Sequence, residues 1–156
     1  MKSLSSTQAS YIAGFLDGDG SIYVRLKPNQ TYRYGFQIAP NIVFYQSQKE
    51  VHFLHVLQEV VGAGYIRLRK DGIAEYTIGD TATMRELVAY IEPYLIFKKA
   101  QANLLIQILD QKEYVQSKDD FLQLAKLIDR FKELNYSKKR TIGAAQVMSS
   151  KKFVTP

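Results

Sequence analysis

Tyr11-Ile12-Ala13-Gly14-Phe15-Leu16-Asp17-Gly18-Asp19-Gly20 is the stretch on which the fold turns. Ser10, Gly14 and Gly18 fall at i, i+4 and i+8, so they form a stripe of small residues along one face of a helix covering about 8–18. Thr7 is placed to cap its start, and Gly18 and Gly20 to end it. Each interior glycine costs a helix about 1 kcal/mol against alanine, so the stripe calls for a second helix packed closely on it. The helix then closes on two acids, Asp17 and Asp19, at the negative end of its dipole. That placement needs a compensating cation or donor. Mg²⁺ fits, because a carboxylate and a neighbouring backbone carbonyl are hard oxygen ligands. A solvated Asp-Gly turn is the plainer alternative. An EF-hand loop fails, since counting from Asp17 puts Ile22 where glycine is required and Pro28 where glutamate is required.

Downstream the period changes from helical to alternating. Ile22, Val24 and Leu26 share one face of a strand over 21–27, and Ser21, Tyr23, Arg25 and Lys27 the other. Pro28-Asn29-Gln30 makes a turn into a second strand over 32–46, with Gln37, Ala39 and Asn41 outward and Ile38, Ile42 and Phe44 inward. Pro40 on the inward parity marks a bulge or an edge. Val51, Leu54, Leu57 and Val61 space a helix over 48–61, stopped by Gly62 and Gly64. Residues 65–69 and 73–79 alternate around Lys70-Asp71-Gly72 as a second hairpin, with Arg67 and Arg69 on one face, and Glu75 and Thr77 sharing a face of the return strand. Helices follow over about 81–91, 98–113 and 118–134, and a short one near 138–148. The order α-β-β-α-β-β-α, with helices segregated onto one face of an antiparallel sheet, is an α+β fold. The expected organisation is one domain over 1–156, with a core over about 8–135 and a basic segment at 138–156.

Composition narrows the chemistry. The 156 residues hold 21 Lys plus Arg and 15 Asp plus Glu, and 21 − 15 gives +6. Five of those six charges lie in the acid-free segment 138–156, as Lys138, Lys139, Arg140, Lys151 and Lys152. Such a tail is either simply solvated or an arm that contacts phosphates. The absence of cysteine removes disulfides, thiolate zinc and cysteine nucleophiles. His52 and His55 are too few for a histidine metal centre, and they read as surface or packing residues. No apolar run approaches the roughly 20 residues of a membrane span, and the N-terminus lacks the apolar core of a secretory signal.

The decapeptide resembles the signature of the LAGLIDADG homing endonucleases, and most closely the single-motif members encoded in group I introns of algal organelles. The segments KPNQTY at 27–32 and GAGYIRLR at 62–69, Glu92-Pro93-Tyr94-Leu95, and Lys98-Lys99-Ala100-Gln101-Ala102-Asn103 extend the likeness over roughly 9–135.

The resemblance implies an αββαββα fold with a saddle-shaped DNA-binding sheet, and a site-specific endonuclease cutting both strands of a long pseudo-palindromic target to leave short 3′ overhangs. It implies that Asp19 binds the catalytic metal, that the Gly18 backbone assists, and that Asp17 is the more structural acid. Mg²⁺ is the expected ion, Mn²⁺ a substitute, and Ca²⁺ one that binds without supporting cleavage. Lys98 matches the basic active-site residue. Gln46 matches the glutamine that orders the attacking water, with Gln48-Lys49 as the alternative register. The basic residue usual four positions after this glutamine is here Glu50, a departure for which Lys49, one position earlier, is the alternative cation. One motif copy per chain implies a homodimer joined through Ser10, Tyr11, Ala13, Gly14, Asp17 and Gly18.

The expected DNA-facing set is Tyr23, Arg25, Lys27, Asn29, Thr31, Tyr32, Arg33, Gln37, Asn41, Arg67, Arg69, Glu75 and Thr77, with Lys138, Lys139 and Arg140. A strand of about 7 residues spans roughly 23 Å, or about 7 base pairs, so two subunits and a central gap cover about 20. An RNA-splicing maturase or a non-cleaving DNA-binding regulator of the same fold is the alternative, which the Glu50 departure favours. The resemblance also implies that the protein is encoded and made inside an organelle, the chloroplast before the mitochondrion.

Overall fold

A computed structural model describes residues 1–136 and 142–154. Helix α1 (Ser6–Asp19) begins two residues before the expected start at residue 8. Ser5, not Thr7, takes the cap, because Gln8 stands three residues on and completes a reciprocal box: Ser5 Oγ accepts from the Gln8 N–H and Gln8 Oε1 from the Ser5 N–H. Gly18 lies inside the helix and Gly20 alone ends it. Gly20 is extended, with φ −126°. Its constraint is therefore steric: a Cβ there would come within 2.8 Å of the Leu16 carbonyl oxygen.

The chain passes straight from α1 into β1 (Gly20–Pro28) and, after a loop, β2 (Phe36–Ser47). The second strand starts later than expected. Asn29 Oδ1 accepts from the Thr31 N–H and hydroxyl, and the Asn29 N–H donates to the Gly35 carbonyl, so 29–35 closes on itself as a turn. Thr31, Tyr32 and Arg33 consequently sit on a loop rather than on a ladder.

A 3₁₀ turn leads into α2 (Val51–Val61), capped by Gly62 in the left-handed region. Strands β3 (Tyr65–Leu68) and β4 (Ile73–Ile78) follow, then α3 (Thr81–Ile91), α4 (Lys99–Glu113), α5 (Lys118–Asp129), α6 (Phe131–Leu134), α7 (Ala144–Ser149) and α8 (Lys151–Val154). The helix expected over 118–134 breaks at Arg130, where the α5 cap N–H turns to bond Leu127 and Ile128. Of the helix expected near 138–148, residues 138–141 lie outside the described set and α7 covers 144–148.

The four strands run in the order β1-β2-β4-β3, and β4 is antiparallel to both of its neighbours. Its Ile78 pairs with Ile42, so β4 ends before Pro40 and leaves that position an edge on this side.

Two compact units make up the chain. One comprises 1–22 and 41–102, the other 23–40 and 103–156. In the first, Ile12, Leu16, Leu54, Ile42, Phe44, Tyr76 and Ile78 form a core, with Phe44 stacked on Tyr76 at 5.6 Å and tilted against Phe15 at 5.9 Å. In the second, Tyr34 stacks on Phe121 at 4.9 Å beside buried Ile38, Leu124, Ile128 and Phe131. No helix among the described residues is long and apolar enough to cross a membrane.

Candidate active site and nucleic-acid interface

The two acids that end α1 have separate surroundings. Asp17 turns to the segment before α4. Its Oδ2 accepts from the N–H groups of Ile96 at 2.7 Å and Phe97 at 3.2 Å, and its Oδ1 from that of Lys98 at 2.9 Å. It thus acts as an N-terminal cap for a helix that starts some 80 residues later. The Lys98 ammonium completes the clasp by donating to the Asp17 backbone carbonyl at 2.6 Å. A cation there answers the negative end of the α1 dipole. Burial pushes the Lys98 ammonium below the usual lysine range, while Asp17 and then Asp19 pull it back up. Lys98 therefore lies within electrostatic reach of both acids.

Asp19, by contrast, is exposed, and so is Gly18. A carboxylate and a neighbouring peptide carbonyl are hard oxygen donors. They fit Mg²⁺, which binds through one or two carboxylates and fills its octahedron with water and phosphate oxygens. The described residues contain no cluster of three or more His, Cys, Asp or Glu able to enclose an ion. The donor set of one chain suits an open, substrate-completed site and not a closed structural one.

Of the two glutamine registers, the structure occupies one with structural bonds. Gln48 Nε2 donates to the carbonyls of Arg69 and Ile73, and its backbone N–H to that of Gly72, so this side chain ties the strand end to the β3–β4 hairpin. Gln46 is half-buried at the end of β2, with its amide oxygen accepting from the Ser47 N–H. Lys49 and Glu50 are both exposed, and Glu50 faces His52 at 3.9 Å. His52 and His55 lie on the surface.

The outward face alternates on β1 as the sequence suggests, whereas on β3 Leu68 is exposed together with Tyr65 and Arg67, and on β4 both faces are buried. Arg25 and Lys27 are exposed, with the Arg25 guanidinium 4.6 Å from the Tyr23 ring centroid, and Tyr23 and Gln37 half-buried. In the other unit Arg67 and Arg69 are exposed and Asn41 half-buried. Glu75 and Thr77, expected among the exposed set, are buried. They lie on β4, where Glu75 is flanked by Tyr45 and Arg67, and Thr77 by Val43 and Tyr65, so neighbours from both adjoining strands cover each. Arg67 bonds Glu75 through Nε at 2.9 Å and Nη2 at 2.5 Å, and Arg69 through Nη1 at 3.2 Å. Glu75 is therefore buried and engaged by two arginines, and not part of an exposed set. Asn29 and Thr31 are engaged with each other in the turn, whereas Tyr32 and Arg33 are exposed. Lys138, Lys139 and Arg140 lie outside the described residues.

Along α1, Ser10, Tyr11, Gly14 and Gly18 are exposed, and a Cβ on either glycine would meet nothing within 4 Å. The small stripe is open. Ala13, placed with it by the sequence reading, points instead into the chain's own core with no exposed surface, because it lies on the opposite flank with Ala9 and Leu16. Sequence reasoning missed the apolar ground beside the stripe. Tyr11 is 63% exposed, Phe53 51% and Val56 57%, and they rim a groove of about 340 Å³ between α1 and α2. Phe53 and Val56 stand off the Val51-Leu54-Leu57-Val61 stripe, which was the available signal.

Against known proteins, the LAGLIDADG endonuclease family matches over residues 12–108. The DNA endonuclease I-CreI of Chlamydomonas reinhardtii is 34% identical over 131 residues, covering 83% of this chain and 80% of that protein. The DNA endonuclease I-CvuI of Chlorella vulgaris is 30% identical over 138 residues, covering 88% and 86%. The solved structure of the homing endonuclease I-CvuI with its target, in the presence of calcium, superposes with a TM-score of 0.86 at 29% identity, covering 91% and 90%.

Proposed function

Because this chain belongs to the LAGLIDADG endonuclease family, we propose that it works as a homodimeric homing endonuclease on a pseudo-palindromic DNA target of about 20 base pairs. It is a site-specific DNA endonuclease that depends on a divalent metal. Mg²⁺ is the proposed ion, with Mn²⁺ able to replace it and Ca²⁺ supporting binding alone. Both strands are cut, leaving short 3′ overhangs.

One observation carries the assignment of parts: Asp19 stands exposed at the end of α1, while Asp17, two residues earlier, is consumed in holding Lys98. Asp19 and the Gly18 carbonyl are the groups that would hold the ion, which when bound activates water and neutralises charge on the scissile phosphate. Lys98 presents a fixed ammonium to the phosphate's developing charge. Its tether to the Asp17 carbonyl limits where that charge can stand, and so aims it. Gln46 holds the attacking water in line by hydrogen bonding.

The second copy of the chain brings the second Asp19. The open glycines of α1 and the apolar rim of Tyr11, Phe53 and Val56 support that pairing, because a neighbouring helix can approach the glycines closely while the rim leaves water. Arg25, Lys27, Arg67 and Arg69 are the proposed base and backbone contacts. The gene is proposed to reside in an organelle, the chloroplast before the mitochondrion, as its likeness to the two algal enzymes suggests.

The test is selection of cleaved sites from a randomised duplex library with Mg²⁺. A unique site of about 20 base pairs is expected, and Asp19→Asn is expected to abolish cutting while retaining binding of that site in Ca²⁺. Full cleavage by the variant would remove Asp19 from the chemistry. A maturase or a non-cleaving regulator is the second reading, favoured by the acid at Glu50. Binding without any metal-dependent cutting by the native chain would select it.

A further inference from the structure

Two large apolar side chains stand in water next to the candidate active site. Ile96 is 80% exposed and Phe97 78%, between buried Leu95 and half-buried Lys98. The segment that carries them is held. The Asp17 carboxylate accepts from the N–H of each, at 2.7 and 3.2 Å, so their backbone is fixed and both side chains project from it. A rigid, exposed apolar pair beside a polar site marks a contact surface.

The apolar groove between α1 and α2 belongs to the same unit, formed by 1–22 and 41–102, and Tyr11, Phe15, Phe53 and Val56 are among its lining. Groove and pair lie on opposite flanks of the open α1 stripe. At about 100° per residue, Tyr11 and Phe15 stand about 60° and 100° to one side of Gly14, and Asp17, which holds the pair, about 60° to the other. Lys2, just ahead of α1, donates its N–H to the Val61 carbonyl at the end of α2, so the first turn of α2, with Phe53, lies toward the Phe15 end of α1. The groove's aromatic end and the pair are thus at similar heights along α1. Two Asp19 carboxylates brought together at the C-terminal ends of paired α1 helices require those helices to run in parallel about the twofold. A twofold along such a seam sets the left flank of one chain against the right flank of the other, and does so twice. It therefore carries Ile96 and Phe97 of one protomer to the groove of its partner. A whole aromatic side chain presents about 150–250 Å², so Tyr11, Phe53 and Phe97 at their exposures leave about 300–500 Å² of ring surface in water per protomer. Ile96 and Val56 add to it. That is roughly half of the about 800 Å² per partner in a standard interface, and the bare stripe of α1 continues it.

We propose that Ile96 and Phe97 of each protomer seat in the α1–α2 groove of a second copy of the chain, so that the seam carries two reciprocal apolar contacts, one on either side of the paired α1 helices. The proposal rests on the homodimer reading above. It names what covers the groove: a buried aromatic anchor in a pocket at each side, with the small-residue stripe between them allowing close approach.

The chain has no cysteine, so one introduced thiol reports one position. Phe97→Cys and Phe53→Cys chains are prepared separately and treated with a short bismaleimide, each alone and after mixing and re-equilibration. A covalent dimer is expected from the mixture and from neither chain alone, because the twofold pairs unlike flanks. A covalent dimer from one variant alone, or none from a mixture whose chains still sediment as dimers, would overturn the proposal and leave the homodimer standing. A second measurement is sedimentation of Phe97→Asp. Its side chain is exposed in the single chain, so folding is expected to survive while the dimer dissociation constant rises about a hundredfold or more. Tyr114→Asp, at an aromatic side chain of like exposure on the other unit, is expected to leave that constant unchanged. An unchanged constant for Phe97→Asp would overturn the proposal. Loss of target affinity by that variant with the dimer intact would assign the pair to DNA and overturn it as well. A native chain that is monomeric both free and on its target would refute the homodimer reading, and the proposal with it.

Discussion

Replacing Asp17 by alanine separates two acids that the sequence presents as a pair. In the structure Asp17 accepts three N–H bonds, at 2.7, 3.2 and 2.9 Å, from the segment that opens α4. Losing an N-terminal cap of this kind costs about 0.5–2 kcal/mol. Ile96 and Phe97 are exposed, so their freed N–H groups are hydrated and the loss stays within that range. At this chain length 1 kcal/mol lowers the melting temperature by about 2–4 °C, so a fall of up to about 8 °C is expected. The Asp17 carbonyl that Lys98 bonds is main chain and survives the substitution. Lys98 therefore keeps its anchor and loses the carboxylate charge beside it, and cleavage should fall partly rather than vanish. Asp19→Ala is the matched comparison. It removes a negative charge from a helix C-terminus and should leave the melting temperature unchanged or raised, while abolishing cleavage. Thermal denaturation followed by circular dichroism, with Mg²⁺-dependent cleavage of the selected target, reads both. An equal loss of stability in the two variants, or none in Asp17→Ala, would refute the division of labour argued for these acids.

Three further outcomes follow from the same geometry. Glu75→Gln, which loosens the bonds to Arg67 and Arg69, should widen the set of tolerated bases under those arginines while total affinity holds or rises; an unchanged preference in a mismatch panel contradicts the alignment role. Gly14→Leu, projecting a large side chain from an open helix face, should shift sedimentation toward the monomer, and an intact dimer removes the stripe from the seam. Lys98 has its pKa lowered by burial, so the ammonium needed for cleavage is lost on the alkaline side below the ordinary lysine range; Lys98→Arg should extend activity upward in pH. The linked effect on stability has the opposite sense: the unfolded chain holds that proton more tightly, so the fold gains as pH rises through the window between the two pKa values.

Element types were legible because they depend on neighbours in sequence. The alternation at 21–27 and the spacing of Leu54, Leu57 and Val61 report which side of an element is dry, and the structure agrees at each, while Val51 at the start of α2 is only half-buried. Boundaries slipped where short-range hydrogen bonding competed with periodicity. The Ser5–Gln8 box moved a helix start, and the Asn29–Thr31 turn consumed the first residues expected of β2.

The decapeptide at 11–20 and the run at 98–103 together carried the resemblance to the family and marked Asp19 and Lys98 as candidates. Three-dimensional packing was needed to tell Asp17 from Asp19, because the N–H groups that claim Asp17 come from 79 to 81 residues away. It was needed also to bury Glu75. Alternation gives the face of a strand but not its place in the sheet, and β4 has its outward side chains flanked from both adjoining strands.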